Sequence, residues 1–166
     1  MPSKARLDTV TCNLFGAGEA TWTRDEAQAE AAWEIYVVLT TRLARDTDDL
    51  DHAVLEALDA VFESVRDILL RRGVAVARAE AGHISVGEVA LRVLTGSLRP
   101  FLAKWQPALG AFTDTLPEDA PWAKIQAKWP ERKTFRAELK TLGEQLDAWA
   151  DFLAEAAGVA AVHRGA

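Results

Sequence analysis

The sequence predicts an all-α protein, an up-down-up-down four-helix bundle whose third helix is kinked by proline. Two observations support this prediction: four long segments place apolar residues at helical spacing, and no segment shows the alternation of a β-strand. Of the 166 residues, 49% are hydrophobic and 27% are charged, which suits one globular domain. We divide the chain into an irregular N-terminal segment (1–22), a helical bundle domain (23–158) and a flexible tail (159–166).

The N-terminal segment shows no sustained hydrophobic period. Its Gly16-Ala-Gly18 stretch indicates a turn, but a phosphate-binding loop would need a preceding strand and a third glycine or a Lys-Ser/Thr pair. The segment lacks the apolar core of a signal peptide, and no window of about 18 apolar residues occurs in the chain. The only cysteine, Cys12, excludes an internal disulfide. We therefore expect a cytoplasmic protein without a membrane segment.

The first helix is predicted to begin at a capping box, Thr23-Arg-Asp-Glu26, and to run to about Arg45, with Glu30 and Glu34 facing away from the core. A turn with capping carboxylates, residues 46–51, follows. It lacks the glycine and glutamate that a calcium-binding EF-hand requires. The predicted apolar face of this first helix is Ala29, Ala32, Trp33, Tyr36, Val37, Leu39, Thr40 and Leu43.

The second helix is predicted from about Asp48 to Arg72, with Gly73 at its end. Its apolar residues recur at steps of three and four, which indicates one buried stripe. The short link to the first helix implies that the two helices are antiparallel. The stripe consists of Leu50, Val54, Leu58, Val61, Val65 and Ile68.

A second capping box, Ser85-Val-Gly-Glu88, predicts the start of the third helix. Its apolar stripe continues through Pro100 and Pro107, which indicates one bent helix. Gly96 lies four residues before Pro100 and gives the backbone room to bend, because it has no side chain. The alternative is a break at Ser97, whose hydroxyl would cap a new helix.

The connector that follows, residues 116–122, includes Asp119 as a candidate cap for a short helix. Pro130 then marks a kink or a new start. The fourth helix is predicted to continue to about Ala157 and to end at Gly158. Its apolar seam consists of Phe135, Leu139, Leu142, Leu146, Trp149 and Leu153.

No spacing in the sequence is typical of a catalytic or metal site. His52, His83 and His163 lie at a helix start, in a loop and in the tail, without the paired ligands that a metal inside a helical bundle needs. The serines at helix starts are explained by capping. We therefore predict no enzymatic activity, no metal and no cofactor. A metal-dependent bundle enzyme is the alternative in that class.

The sharpest surface feature is a basic stretch at residues 121–142, which holds six basic and two acidic residues in a chain of net charge −6. Three interpretations are open. The first is a solvated face, or one salt-bridged to Asp25, Glu30 and Glu34 within the chain or between subunits. The second is a surface that binds an acidic protein, and the third is one that binds single-stranded nucleic acid, which the net charge disfavours. The candidate partner-binding residues are Trp122, Lys124, Lys128, Trp129, Arg132, Arg136 and Lys140.

The six tryptophans divide into two groups. One group falls in the predicted core stripes: Trp33, Trp105 and Trp149. The other lies outside the clearest stripes and serves either as exposed binding residues or as packing for the connectors. It consists of Trp22, Trp122 and Trp129.

Several short stretches resemble a group of small, uncharacterised helical proteins from actinobacterial genomes. The resemblance implies a bacterial, cytoplasmic origin and brings with it no known activity or site. The stretches are Leu14-Phe-Gly16, Ala20-Thr-Trp-Thr-Arg24, Ile84-Ser-Val-Gly-Glu88 and Leu98-Arg-Pro-Phe-Leu102, together with Trp105 and Pro107.

We expect a non-enzymatic helical bundle that binds another protein or its own copy, as part of a bacterial regulatory or defence system. The motive is the absence of catalytic spacing together with the basic, tryptophan-bearing stretch. The alternative is a bundle that holds a small apolar ligand near Pro100, where displaced backbone would leave a cavity.

Overall fold

The computed structural model describes residues 25–43 and 50–162, which contain five helices and no strand. The all-α prediction is confirmed. The predicted number of four helices is not, because the connector before Pro130 folds into a short helix of its own. The helices are α1 (Glu26–Arg42), α2 (Asp51–Arg72), α3 (Val86–Val93, Leu94–Leu98 and Arg99–Thr113, without interruption), α4 (Trp122–Lys128) and α5 (Arg132–Ala157).

Some predictions fall on residues outside the described part: the irregular segment 1–22, the cap at Thr23, residues 46–49 of the acidic turn, and residues 163–166 of the tail. The described part of the tail, residues 159–162, has no helical conformation but contacts the bundle. The backbone N–H of Val162 donates a hydrogen bond of 2.7 Å to Tyr36 Oη.

Helix α1 is capped by Asp25, whose carboxylate accepts a 2.8 Å hydrogen bond from the backbone N–H of Gln28. The predicted face of α1 is partly wrong, because Trp33 is 48% exposed and Ile35 is fully buried in its place. Apolar residues occur on both sides of α1, so the spacing alone does not decide which side is buried. The buried residues are Gln28, Ala31, Ala32, Ile35, Tyr36 and Leu39.

Gln28 is a polar residue inside the core, only 2% exposed. Its side-chain oxygen accepts a 2.8 Å hydrogen bond from the backbone N–H of Val86, and its side-chain nitrogen donates a 3.0 Å bond to the carbonyl of Arg78. Because a buried amide is costly unless it is paired, these bonds hold the start of α1 against the start of α3.

Helix α2 ends as predicted at Gly73, whose φ of 67° favours glycine. A 3₁₀ turn, Gly73–Val76, follows and buries Val76. The predicted stripe is buried from Leu58 onwards, whereas Val54 is only partly buried and Leu55 takes the core position beside it. The deeper residues of the stripe are Leu58, Val61, Val65 and Ile68.

Helix α3 is capped by Ser85, whose hydroxyl accepts a 3.0 Å hydrogen bond from the backbone N–H of Glu88. The prediction of one helix through Pro100 is confirmed, and Ser97 lies inside the helix instead of capping a new one. The structural device is a π-helical turn, Leu94–Leu98, in which the N–H of Arg99 bonds to the carbonyl of Leu94. Pro100 has no backbone N–H and cannot complete the α-helical hydrogen-bond pattern. The π-helical turn before it shifts that pattern by one residue, and the helix continues through the proline.

The seam of α5 packs as predicted, with Leu139 partly buried and the other five residues buried. At the α3–α5 contact, Trp105 meets Phe135 edge to face at 5.4 Å, and its indole N–H donates a 2.9 Å hydrogen bond to Glu138. Helix α5 ends at Gly158, whose φ of 72° is left-handed.

An ion-pair cluster joins the end of α2 to the middle of α1. Arg71 and Arg72 both contact Glu34, and Arg72 also contacts Glu30. Partial burial raises the pKa of the Glu34 carboxyl, but hydrogen bonds and positive charge from Arg72 and Arg71 lower it more, so the net pKa lies below its ordinary value of 4.5. The cluster therefore stabilises the α1–α2 contact while Glu34 is ionised.

We predict that the cluster is lost in acid. Because the pKa of Glu34 is lower in the folded state, its stabilisation is complete above pH 4.5 and disappears as the pH falls through the folded pKa. Glu34→Gln should lower the free energy of unfolding near pH 7 and should make the folded state less sensitive to acid below pH 4.5. Urea unfolding of the wild type and of Glu34→Gln, near pH 7 and below pH 4.5, measures this. Equal acid sensitivity of the two proteins would contradict the prediction.

A close approach at Gly87 gives a second prediction. A Cβ atom at Gly87 would lie 2.6 Å from the carbonyl oxygen of Val76, whereas one at Gly143, inside α5, would meet nothing within 4 Å. Gly87→Ala should destabilise the fold by about 1–3 kcal/mol, since backbone has to move. Gly143→Ala should stabilise it by up to about 1 kcal/mol through helix propensity. Chemical unfolding of both variants checks the opposite signs.

Candidate protein-binding surface

The basic stretch covers α4 and the first turns of α5. Pro121 precedes α4 without a side-chain cap, so Asp119 is not its N-cap, and Trp129 and Pro130 separate α4 from α5. Within α4 only Ile125 is buried, which leaves most of this short helix in solvent. Its position therefore depends on contacts with the start of α2.

Those contacts centre on Asp51, the first residue of α2, whose side chain is only 1% exposed. Arg132 Nε lies 2.9 Å from one carboxylate oxygen, and the guanidinium of Arg136 contacts the other. The backbone N–H of Asp51 donates a 2.9 Å hydrogen bond to the side-chain oxygen of Gln126 on α4. One residue thus connects α2, α4 and α5.

Two of the candidate partner-binding residues, Arg132 and Arg136, are therefore in internal ion pairs. The α1 carboxylates are not their internal partners: Asp25 caps α1, and Glu30 and Glu34 bind the arginines at the end of α2. The sequence reasoning missed Asp51 because it treated the acidic turn only as a source of helix caps.

The two tryptophans of the stretch have different environments. Trp129 is 3% exposed and contacts Trp105 at 5.7 Å in a perpendicular arrangement, so it belongs to the core. Trp122 is 38% exposed, and one face of its ring stacks on His52 at 3.9 Å. Trp122 therefore both fixes α4 to α2 and presents aromatic surface to solvent.

The remaining candidates, Lys124, Lys128 and Lys140, are exposed, as is Lys133 next to them. Within the described residues none of these four lysines forms an ion pair. Lys124 and Lys128 lie one turn apart on α4, and Lys133 and Lys140 lie two turns apart on α5. We call Trp122 and these four lysines the lysine surface.

A second surface feature was not foreseen from the sequence. An open groove of about 430 Å³ runs between α1 and α2, and its apolar lining is Trp33, Val37, Val38 and Ile68. Its polar lining consists of Glu34, Ser64, Asp67 and Arg71. We call it the α1–α2 groove.

Comparison of the chain with family models, with curated proteins and with solved structures finds no match. In the part of the chain that the structure describes, His, Cys, Asp and Glu side chains form no group of three that would hold a metal ion. No helix in the same part has the length and apolar character needed to cross a membrane.

The buried ion pair between Asp51 and Arg136 predicts that replacing Arg136 and replacing the nearby Lys140 have unequal effects on stability. Arg136→Leu should cost about 3 kcal/mol of folding free energy, because it removes a partner from a buried carboxylate. Lys140→Leu, one turn further along α5, should change the stability by less than about 0.5 kcal/mol. Urea unfolding compares the two variants, and similar stabilities would show that Asp51 does not depend on Arg136.

Proposed function

We propose that this protein is a non-enzymatic helical module that binds an acidic region of another protein through the lysine surface. The observation that carries the proposal is the set of four exposed lysines without ion pairs on α4 and α5, together with Trp122, which is 38% exposed at the start of α4. Tryptophan is enriched among the residues that dominate binding energy, and exposed cations steer an acidic partner towards the surface.

The scaffold supports this proposal because contacts with Asp51 and His52 at the start of α2 fix the positions of α4 and the start of α5. We infer that α1, α2, α3 and α5 form the up-down-up-down bundle, since Gln28 brings together the starts of α1 and α3, and Asp51 those of α2 and α5. The Glu34–Arg71 contact places the middle of α1 beside the end of α2. Binding groups on a rigid element lose less entropy on association.

Other proposals have weaker support. Nucleic acid is disfavoured by the net charge of −6. A small apolar ligand near Pro100 is disfavoured because the inward residues there, Leu94, Leu98 and Phe101, already pack in the core. We assign the module to the bacterial cytoplasm, in regulation or defence, because of the resemblance and the single cysteine.

Charge reversal at the lysines tests the proposal. Lys124→Glu with Lys128→Glu should abolish at least nine-tenths of the recovery of a specific partner from native bacterial lysate, because an acidic partner then meets like charge. These two positions are preferable to Arg132 and Arg136, whose reversal would break the buried pair. Quantitative mass spectrometry of the captured proteins, in lysate treated with nuclease, provides the measurement.

A control with the same change in net charge uses two exposed arginines elsewhere, Arg66→Glu with Arg92→Glu. This control should retain the partner, which shows that position matters and total charge does not. Equal recovery by the lysine variant and the wild type would remove the lysine surface from the proposal. Recovery that occurs in untreated lysate but not in nuclease-treated lysate would instead indicate a nucleic acid.

A further inference from the structure

We propose that the α1–α2 groove is the surface through which two copies of this chain associate. The groove is separate from the lysine surface: Asp67, which lines it, lies 16 residues after Asp51 on α2, about 24 Å along the helix axis. The proposal therefore concerns a different part of the bundle and does not depend on the acidic partner.

Large apolar side chains are exposed to solvent at and near the groove. Trp33 is 48% exposed, although the core stripe of α1 runs beside it, and Leu70 on α2 is 69% exposed. Leu70 lies one turn from Asp67 on α2 but is not part of the groove lining. An exposed tryptophan next to an open apolar groove is typical of a protein-binding surface.

The charges at the groove indicate a second copy as the occupant. Asp67 is exposed and forms no ion pair with the described residues. Arg71 is 63% exposed and uses one terminal nitrogen for Glu34, which leaves further guanidinium donors for a partner. A strongly acidic partner would meet Asp67 and Glu34, and a strongly basic one would meet Arg71.

A two-fold axis between two copies places both Asp67 and Arg71 of the groove opposite a charge of the other sign. Asp67 and Arg71 lie one turn apart on the same helix. When two α2 helices meet antiparallel across such an axis, Asp67 of each copy faces Arg71 of the other, and the two Trp33 rings come together over the grooves. An interface of this kind requires one self-complementary patch, which the groove provides.

Sedimentation velocity of the full-length chain over a dilution series tests the proposal. The wild type should pass from 18.1 kDa to about twice that mass as the concentration rises. Trp33→Ala should weaken dimerisation at least tenfold, because it removes the central aromatic side chain. The matched control, Trp122→Ala, removes an indole of similar exposure from the lysine surface and should dimerise like the wild type.

Charge exchange tests the predicted pairing more sharply. Asp67→Arg alone and Arg71→Asp alone should each weaken dimerisation at least tenfold, since each places like charges opposite one another. Their equimolar mixture should form heterodimers with an affinity near that of the wild type, because both cross-axis pairs are then complementary. Circular dichroism confirms that each variant is folded.

Each remaining outcome overturns the proposal. A wild-type chain that stays monomeric at every concentration assigns the groove to another segment of the chain or to a different protein. A dimer that tolerates Trp33→Ala forms through a different surface. Single charge variants that are weakened but not rescued by mixing exclude the two-fold pairing. These results test the groove alone, because binding of the acidic partner to the lysine surface is measured separately.

Discussion

The buried carboxylate of Asp51 is the interaction on which the rest of the arrangement at this end of the molecule depends. Removing a carboxylate from water costs several kcal/mol, and here the cost is offset by two guanidinium groups. Its contacts connect residues that are 75 to 85 positions apart in the sequence. Because an unpaired buried charge is unfavourable, α5 begins where Arg132 and Arg136 both reach this carboxylate.

The same pair divides the basic stretch into two chemical types. The cations that bind Asp51 are both arginines, and the exposed cations of the stretch are all lysines. Guanidinium is planar, weakly hydrated and able to direct several donors at a carboxylate, whereas an ammonium group is strongly hydrated and remains favourable in water. The residue types are thus consistent with arginines for structure and lysines for contact with a partner.

The sequence predicted those features of the fold that depend on local physics. The cap at Ser85, the glycines at 73 and 158, and the continuity of α3 through Pro100 all follow from requirements of the backbone near each residue. The apolar seam of α5 was also predictable, because polar residues separate its members and leave one choice of buried face.

The features that the sequence did not predict share a different cause. Trp33, predicted in the core, is exposed, and Trp129, for which both an exposed binding role and packing of the connectors were open, is buried. Both lie where local spacing offers two apolar faces or none, so contacts with distant helices decide the outcome. The sequence also did not identify Asp51 as the internal partner of Arg132 and Arg136, since the choice between Asp51 and Glu34 depends on how α2 and α5 meet.

The two proposed surfaces have complementary strengths, and together they suggest how a small module reaches useful affinity. Exposed lysines contribute little each, because water and salt screen them and their side chains lose freedom on binding. One lysine surface with one half-exposed tryptophan should therefore bind weakly. A dimer joined through the α1–α2 groove presents two such surfaces at a fixed separation, so that a partner with two acidic segments binds the second as an intramolecular step. On this argument the affinity for a divalent partner should fall when Trp33 is changed, although Trp33 itself does not contact the partner.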